Sequence, residues 1–144
     1  MLIQPQSFEV NPMMIDQGGY TYLSASSVSF SVGSYGSWVQ ASASLSETLW
    51  LWGLTVENNS TGNLYSMLVE VGIGGSGSES AIAVIGLASP IDNYRSVFGL
   101  WPFPVKMPSG SRVAVRGQHR TGSTHSVPLI NLLCFKDSHW VSRT

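Results

Sequence analysis

The chain has 144 residues and a mass of 15.5 kDa, enough for one domain with its own core and too little for a second of ordinary size. Charged residues are 10% of it, against roughly 25% in ordinary soluble domains, which excludes a coiled coil, a charged solvating tail and a helix bundle rich in Ala, Glu, Lys and Leu; 43% hydrophobic residues exclude disorder. A net charge of −1 and a pI near 6.2 leave no field that would draw the molecule onto nucleic acid or an anionic membrane.

Residues 1–19 are apolar but aperiodic, broken by Pro5, Pro12 and Gly18-Gly19, and read as an extended arm that needs a surface to lie on. From Tyr20 the chain becomes a series of short runs of β-branched and aromatic residues, each closed by Gly, Ser, Asn or Pro. Strands are expected over 20–23, 27–32, 37–45, 48–57, 63–73, 80–88, 95–100, 111–119 and 126–135. In the fourth of these, Trp50, Trp52, Leu54 and Val56 recur at period 2 and form the expected inward face. In the fifth, the odd positions from Tyr65 to Ile73 are all apolar, so both strands are expected to share the core. The polar cluster Asn58–Asn63 between them tolerates positive φ and reads as a hairpin turn.

Trp38, Trp50, Trp52 and Trp101 fall in apolar runs or in a Pro-bounded turn, where core packing is the ordinary expectation. Val127–Phe135 is apolar on both faces, as suits a strand that is central in the sandwich or pressed against another subunit; Pro128 fits its entry, where a missing N–H matters least. The pattern as a whole predicts an all-β fold, an antiparallel β-sandwich of the jelly-roll kind. Its parts are an N-terminal arm over 1–19, the sandwich over 20–136 and a tail over 137–144 whose Trp140 is expected to be partly exposed.

Motifs that carry chemistry are few. Gly72-Ile73-Gly74-Gly75-Ser76-Gly77 satisfies the spacing of a dinucleotide loop, with Asp92 about 20 residues beyond, but a strand and not a helix follows it; a turn between antiparallel strands is the better reading. His119 and His125 flank 120–124, which resembles a hairpin tip, but two imidazoles make only half a zinc site; with His139 they read better as exposed loop and strand-end histidines. No serine lies in a nucleophile elbow, and the sparse carboxylates nominate no acid/base pair. Cys134, alone in an apolar stretch, reads as a buried structural thiol. Neither a cofactor nor a metal is expected, and the start of the chain lacks the basic and apolar segments of a signal peptide.

Charge is split along the chain. All seven basic residues lie at Arg95 or later, and seven of the eight acids precede them. Arg112, Arg116 and Arg120 share parity on one expected strand and its turn, and read as an outer stripe that is solvated or paired with an acidic partner.

The order of features from Gly36 to Phe135 resembles a group of small virion proteins of tailed bacteriophages. The matching pieces are Gly36-Ser37-Trp38-Val39, then Leu49-Trp50-Leu51-Trp52-Gly53-Leu54-Thr55-Val56. They continue with Val69-Glu70-Val71-Gly72-Ile73-Gly74, Gly77-Ser78-Glu79, Phe103-Pro104-Val105 and Pro108-Ser109-Gly110-Ser111-Arg112-Val113-Ala114-Val115-Arg116. The resemblance implies a β-sandwich on the outside of a phage particle, and includes capsid decoration or cement proteins, which are often trimers, as well as tail and fibre modules. It supplies no catalytic residues.

The expectation is thus a noncatalytic capsid decoration protein on the outer capsid surface, made in the host cytoplasm, that binds the major capsid protein and its own copies. It would engage neither nucleic acid nor membrane. Leu2, Ile3, Phe8, Met13, Met14 and Ile15 of the arm, with Arg112, Arg116, Arg120 and Trp140, are its expected interface residues. The alternatives are a tail or fibre module that binds host-surface glycan through exposed aromatics and, more remotely, a nucleotide-dependent enzyme using Gly72–Gly77.

Overall fold

A computed structural model describes residues 19–57, 66–88, 97–120 and 124–140, the side chains of residues 139 and 140 excepted. The all-β expectation is borne out. Eight strands occur among the described residues: β1 Tyr20–Val32, β2 Val39–Ser42, β3 Leu49–Glu57, β4 Met67–Ile73, β5 Ser80–Leu87, β6 Val97–Met107, β7 Val113–His119 and β8 His125–Lys136. A single helical turn, α1 Asp137–Trp140, follows the last.

The strands form one curled sheet in the order β5-β4-β7-β1-β8-β3-β6, with β2 beside the first half of β7. The two walls of the sandwich are the two halves of this sheet. All pairings are antiparallel except one, β1 with β7, which register Phe30 against Gly117 in parallel. At the open edges β5 and β6 approach without a ladder. The indole N–H of Trp101 donates to the Val84 carbonyl at 3.0 Å, and Gly99 lies under Ile85 and Leu87 so closely that a Cβ there would sit 2.6 Å from each. The result is nearly a barrel.

The curl has an identifiable cause in β1 and β8. Ala25, Val28 and Phe30 are all buried on β1, as are Val127 and Ile130 on β8, so the inward parity changes between residues 25 and 28 and again between 127 and 130. Ser27, with φ of 56°, stands at the change on one strand, and Pro128, which has no N–H to give, at the change on the other. β1 thereby passes from one wall to the other, the means by which strands turn sandwich corners. This joins the expected strands 20–23 and 27–32 into one, and puts Pro128 inside β8, not at its entry.

Two further expectations change. β3 and β4 are not neighbours: β3 lies between β8 and β6, and β4 between β5 and β7, so no hairpin joins them and they meet the core from opposite walls. β7 and β8 are likewise separated by β1 and form no hairpin with each other, although residue 119 ends one strand and residue 125 begins the next; residues 121–123 lie outside the described residues. β6 extends to Met107, seven residues past the expected end, running through Pro102 and Pro104. It tolerates them as an edge strand whose outer N–H groups have no ladder to serve.

The core is aliphatic, with Phe30, Leu51, Leu54, Met67, Met107, Ile130 and Leu132 fully enclosed. Cys134 belongs to it, and burial pushes its thiol pKa up to about 12. Phe30 packs flat over Gly117, where a Cβ would lie 2.5 Å from the ring. Gly117→Ala is therefore expected to destabilise the fold by about 1–3 kcal/mol in urea unfolding, and by less in a Phe30→Leu background where the space exists.

Candidate functional site

The sheet has two outer faces of different chemistry. On the wall built from β4, β5 and β7, Glu70 stands directly opposite Arg116. Arg116 Nε donates to Glu70 Oε2 at 2.6 Å, and its guanidinium lies 4.6 Å from the Tyr35 ring centroid and 4.3 Å from that of Trp38. A largely buried carboxylate is thus matched to a cation clamped between two aromatic rings, a geometry that strengthens both contacts. Burial first, then the Glu70 charge and its hydrogen bond, push the Tyr35 hydroxyl above the ordinary tyrosine pKa.

Arg112, just before β7, pairs with Glu79 and donates through Nε to Gln40 Oε1 at 3.1 Å. Burial acts to raise the Glu79 carboxyl, but backbone N–H donors and Arg112 outweigh it and hold the pKa below the ordinary value. The acids and bases that stand apart in the sequence therefore meet in space, because β4 and β7 are neighbours. Arg120 lies exposed just past β7, its backbone N–H bound to the Ser66 carbonyl at 3.3 Å.

The glycine run closes the β4–β5 hairpin. Gly74 and Gly77 have φ of 136° and 81°, Ser78 N–H donates to the Gly75 carbonyl at 3.0 Å, and β5 follows in antiparallel pairing. The helix that a dinucleotide loop requires is replaced by a strand, as the turn reading expects; Asp92 lies outside the described residues. The rings of His119 and His125 face each other at 5.5 Å across β1, and His119 is buried at the end of β7, contrary to the exposed position expected for it. Among the described residues, no group of three or more His, Cys, Asp or Glu side chains is placed to hold a metal ion.

The other wall, β1-β8-β3-β6, carries the aromatic residues outward, and a bulge in β3 is the reason. Leu51 pairs with Cys134 and Gly53 with Leu133, so Trp52 is one residue in excess of β8. Beside the same point β6 loops out by four residues, Trp101-Pro102-Phe103-Pro104, between Leu100 and Val105. Since side chains alternate with period 2, the extra residue moves the inward set from Leu49 and Leu51 to Leu54 and Val56, all buried. Trp50 and Trp52 are left on the outer face, contrary to the inward face read from the sequence. Trp38 and Trp101 are also only half-buried, so none of the four described tryptophans belongs to the enclosed core.

Four rows cross this wall. The first is Tyr20, Phe135, Trp50 and Lys106; the second Tyr22, Leu133, Gly53 and Leu100, with Trp52 beside it. The third is Ser24, Asn131, Thr55 and Phe98; the fourth Ser26, Leu129 and Glu57. Tyr22 is 66% exposed, Phe98 53% and Leu100 50%, while Phe103 in the neighbouring bulge is 79% exposed. Tyr20 meets Trp52 edge-on at 6.3 Å. Trp50 is fixed from two sides, its N–H donating to Asp137 Oδ1 at 2.7 Å and the Lys106 ammonium lying 5.9 Å from its ring centroid. The polar third row satisfies itself: Ser24 Oγ donates to Asn131 Oδ1 at 2.6 Å, and Asn131 Nδ2 to Thr55 Oγ1 at 3.4 Å. Large apolar side chains gathered in water on one wall, with half-buried Trp50 and Trp52 between them, mark an interaction surface.

Of the residues expected at an interface, Leu2, Ile3, Phe8, Met13, Met14 and Ile15 lie outside the described residues, as does the Trp140 side chain. Arg112 and Arg116 sit on the opposite wall, engaged by Glu79 and Glu70. Sequence reading missed Tyr20, Tyr22, Phe98, Leu100 and Phe103. The alternation Tyr20-Thr21-Tyr22-Leu23-Ser24-Ala25 held the signal for the first two, since one of its two faces had to be outward.

No family model and no curated protein matches this chain. Among solved structures it is similar to the Eiger TNF of S. frugiperda at 12% identity, covering 83% of this chain and 94% of that one with a TM-score of 0.41. It is also similar to VP2 of the infectious bursal disease virus subviral particle (13% identity, 88% of this chain and 35% of that one, TM-score 0.37). A structure of the virus's Gx strain matches at 15% identity, 84% of this chain and 33% of that one, TM-score 0.36. The chain spans about a third of the length of either viral chain. The fold assignment rests on the strand pairings above.

Two measurements test the charged wall. Glu70→Gln is expected to cost about 2 kcal/mol in urea unfolding, and the Glu70→Gln/Arg116→Met pair less than the sum of its singles. Because the Glu79 pKa is depressed in the folded state, its stabilisation is present above the usual carboxylate range and lost as pH falls through the lowered value. Melting temperature should therefore drop on acidification, and less steeply in Glu79→Gln.

Proposed function

We propose that this protein is a noncatalytic structural component of a virion, a capsid decoration or cement protein of a tailed bacteriophage that bridges major capsid subunits on the outer surface. The observation that carries the reading is the aromatic outer face of β1-β8-β3-β6, where Tyr22, Phe98 and Leu100 stand half or more exposed around a hydrogen-bonded polar row. Large apolar side chains gathered on one wall and kept in water favour a partner that covers them. Covering them returns roughly 25 cal/mol per Å² of apolar area, which stabilises a lattice contact without any reaction. The low overall charge and the apolar residues 1–19, which join the wall at Tyr20, are consistent with burial among neighbours, and the phage resemblance supplies the particle.

A second reading has its own observation. Tyr22 beside Ser24, Asn131 and Thr55 offers an aromatic platform next to hydrogen-bonding groups, as a tail or fibre module binding host-surface glycan would need.

Purified shells of the source phage, stripped of this protein, distinguish the two. The full chain is expected to rebind them, and Tyr22→Ser or Phe98→Ser to weaken rebinding at least ~tenfold with the melting temperature held within about 4 °C. Deleting residues 1–19 should abolish rebinding while the remainder stays folded. Absence of rebinding, or occupancy indifferent to both face substitutions, overturns the capsid reading. Adsorption to host cells through glycan would put the module reading in its place.

A further inference from the structure

We propose that the aromatic wall is the pairing face for a second copy of this chain, joined about a two-fold axis that lies in the interface and runs across the strands. This rests on the reading that the wall is buried in an assembly, and names what covers it. The charges on the wall decide the partner and the orientation. Its four rows hold two charged residues, Lys106 on β6 in the first row and Glu57 on β3 in the fourth, both exposed and on opposite sides of the aromatic centre.

Asp137 stands beyond the first row with its carboxylate tied to the Trp50 N–H, so the rows themselves carry a cation at one end and an anion at the other, and such a face is complementary to itself. An axis across the strands, midway between the second and third rows, exchanges first row with fourth and second with third. It sets Lys106 of each copy over the fourth row of the other, one strand spacing (about 4.8 Å) from Glu57, so one operation makes two ion pairs. An axis along the strands does the opposite. It sets Lys106 over Tyr20 and Glu57 over Leu129, and leaves both charges desolvated without a partner, which is costly.

The apolar and polar rows agree with the first arrangement. It lays Trp52 against Thr55, Leu100 against Phe98 and Tyr22 against Ser24; on β3 it also lays Glu57 of each copy over Trp50 of the other, the ring beside which Lys106 stands. The third row carries no unsatisfied side-chain cost into the interface, because Ser24, Asn131 and Thr55 are already bound to one another. Two copies would pack as aligned sheets do, face to face about 10 Å apart. Lys106 also reaches the rim pre-positioned over Trp50, which Asp137 fixes from the other side.

The test is a charge exchange on the full chain, read by sedimentation equilibrium up to ~100 μM. Wild type is expected to be dimeric, and Lys106→Glu and Glu57→Lys each to weaken association at least ~tenfold. The double exchange should restore it to within about threefold, which lost packing or misfolding could not do. Phe98→Ser, with both charges retained, should give a monomer. A wild-type chain that is monomeric throughout, an association indifferent to the single reversals, or a double exchange weaker than either single overturns the pairing. Shell binding is read separately. A monomer that still binds capsids through this wall refutes the pairing and leaves the capsid reading intact, whereas a dimer that ignores capsids does the reverse.

Discussion

One surplus residue in β3 determines what the surface of this protein is made of. Up to Leu51 the strand sends its odd positions inward; after Trp52 it sends its even ones, and Leu49, Leu51, Leu54 and Val56 fill the interior between them. Had the ladder run without interruption from Trp50, two indoles would have had to enter a space that Leu132, Ile130 and Met107 already occupy at close packing. The bulge admits the aliphatic set on both sides of the irregularity and leaves the indoles outside, beside Phe135 and Leu133 of β8 in the ladder. The four-residue loop of β6 faces the same point, so the distortion of one strand is matched in its neighbour and not transmitted across the sheet.

The two walls then divide the chemistry between them. The wall with β4 and β7 settles these charges within the chain, Glu70 with Arg116 between the rings of Tyr35 and Trp38, and Glu79 with Arg112. A partner meeting that wall would find Arg112 and Arg116 already occupied, so of the three arginines close in sequence two contribute little electrostatic attraction. The opposite wall settles the polar groups of its third row, Ser24, Asn131 and Thr55, but not its apolar ones. Binding free energy is available where desolvation is favourable and polar groups need not be unpaired first, and that condition holds on the aromatic side.

What the sequence discloses and what it withholds follow from the range of the interactions. The all-β class, the turn at Gly72–Gly77 and the buried Cys134 depend on local composition and alternation, and were legible. The inward face of β3 was not, because Trp50-x-Trp52-x-Leu54-x-Val56 outweighs the competing Leu49 and Leu51 of the other face, and only pairing with Cys134 and Leu133 reveals the extra residue that brings both sets inside. Ser27 and Pro128 present the same difficulty, since each breaks a pattern that only the other strand explains. Pro102 and Pro104 signal a turn wherever the N–H is needed, and their place in β6 could be read only by knowing that β6 is an edge. The candidate surface was hidden for the same reason: its members come from four strands far apart in the chain, and the rings that looked most like core were the ones a register shift turned out.

The outward tryptophans also limit how the surface can be used. Trp50 is tied by Asp137 and Lys106, and Trp52 by Tyr20, so the rings lose little freedom when something covers them. A face held in this way favours a flat and rigid counterpart over a flexible one, because the ordering cost that remains falls on the partner alone. Another sheet meets that requirement: its side chains stand at the same two-residue spacing along the strands and the same interstrand spacing across them. The geometry that makes the wall stiff thus also selects what fits against it, and a sheet whose charges run in the opposite sense is the counterpart the rows describe.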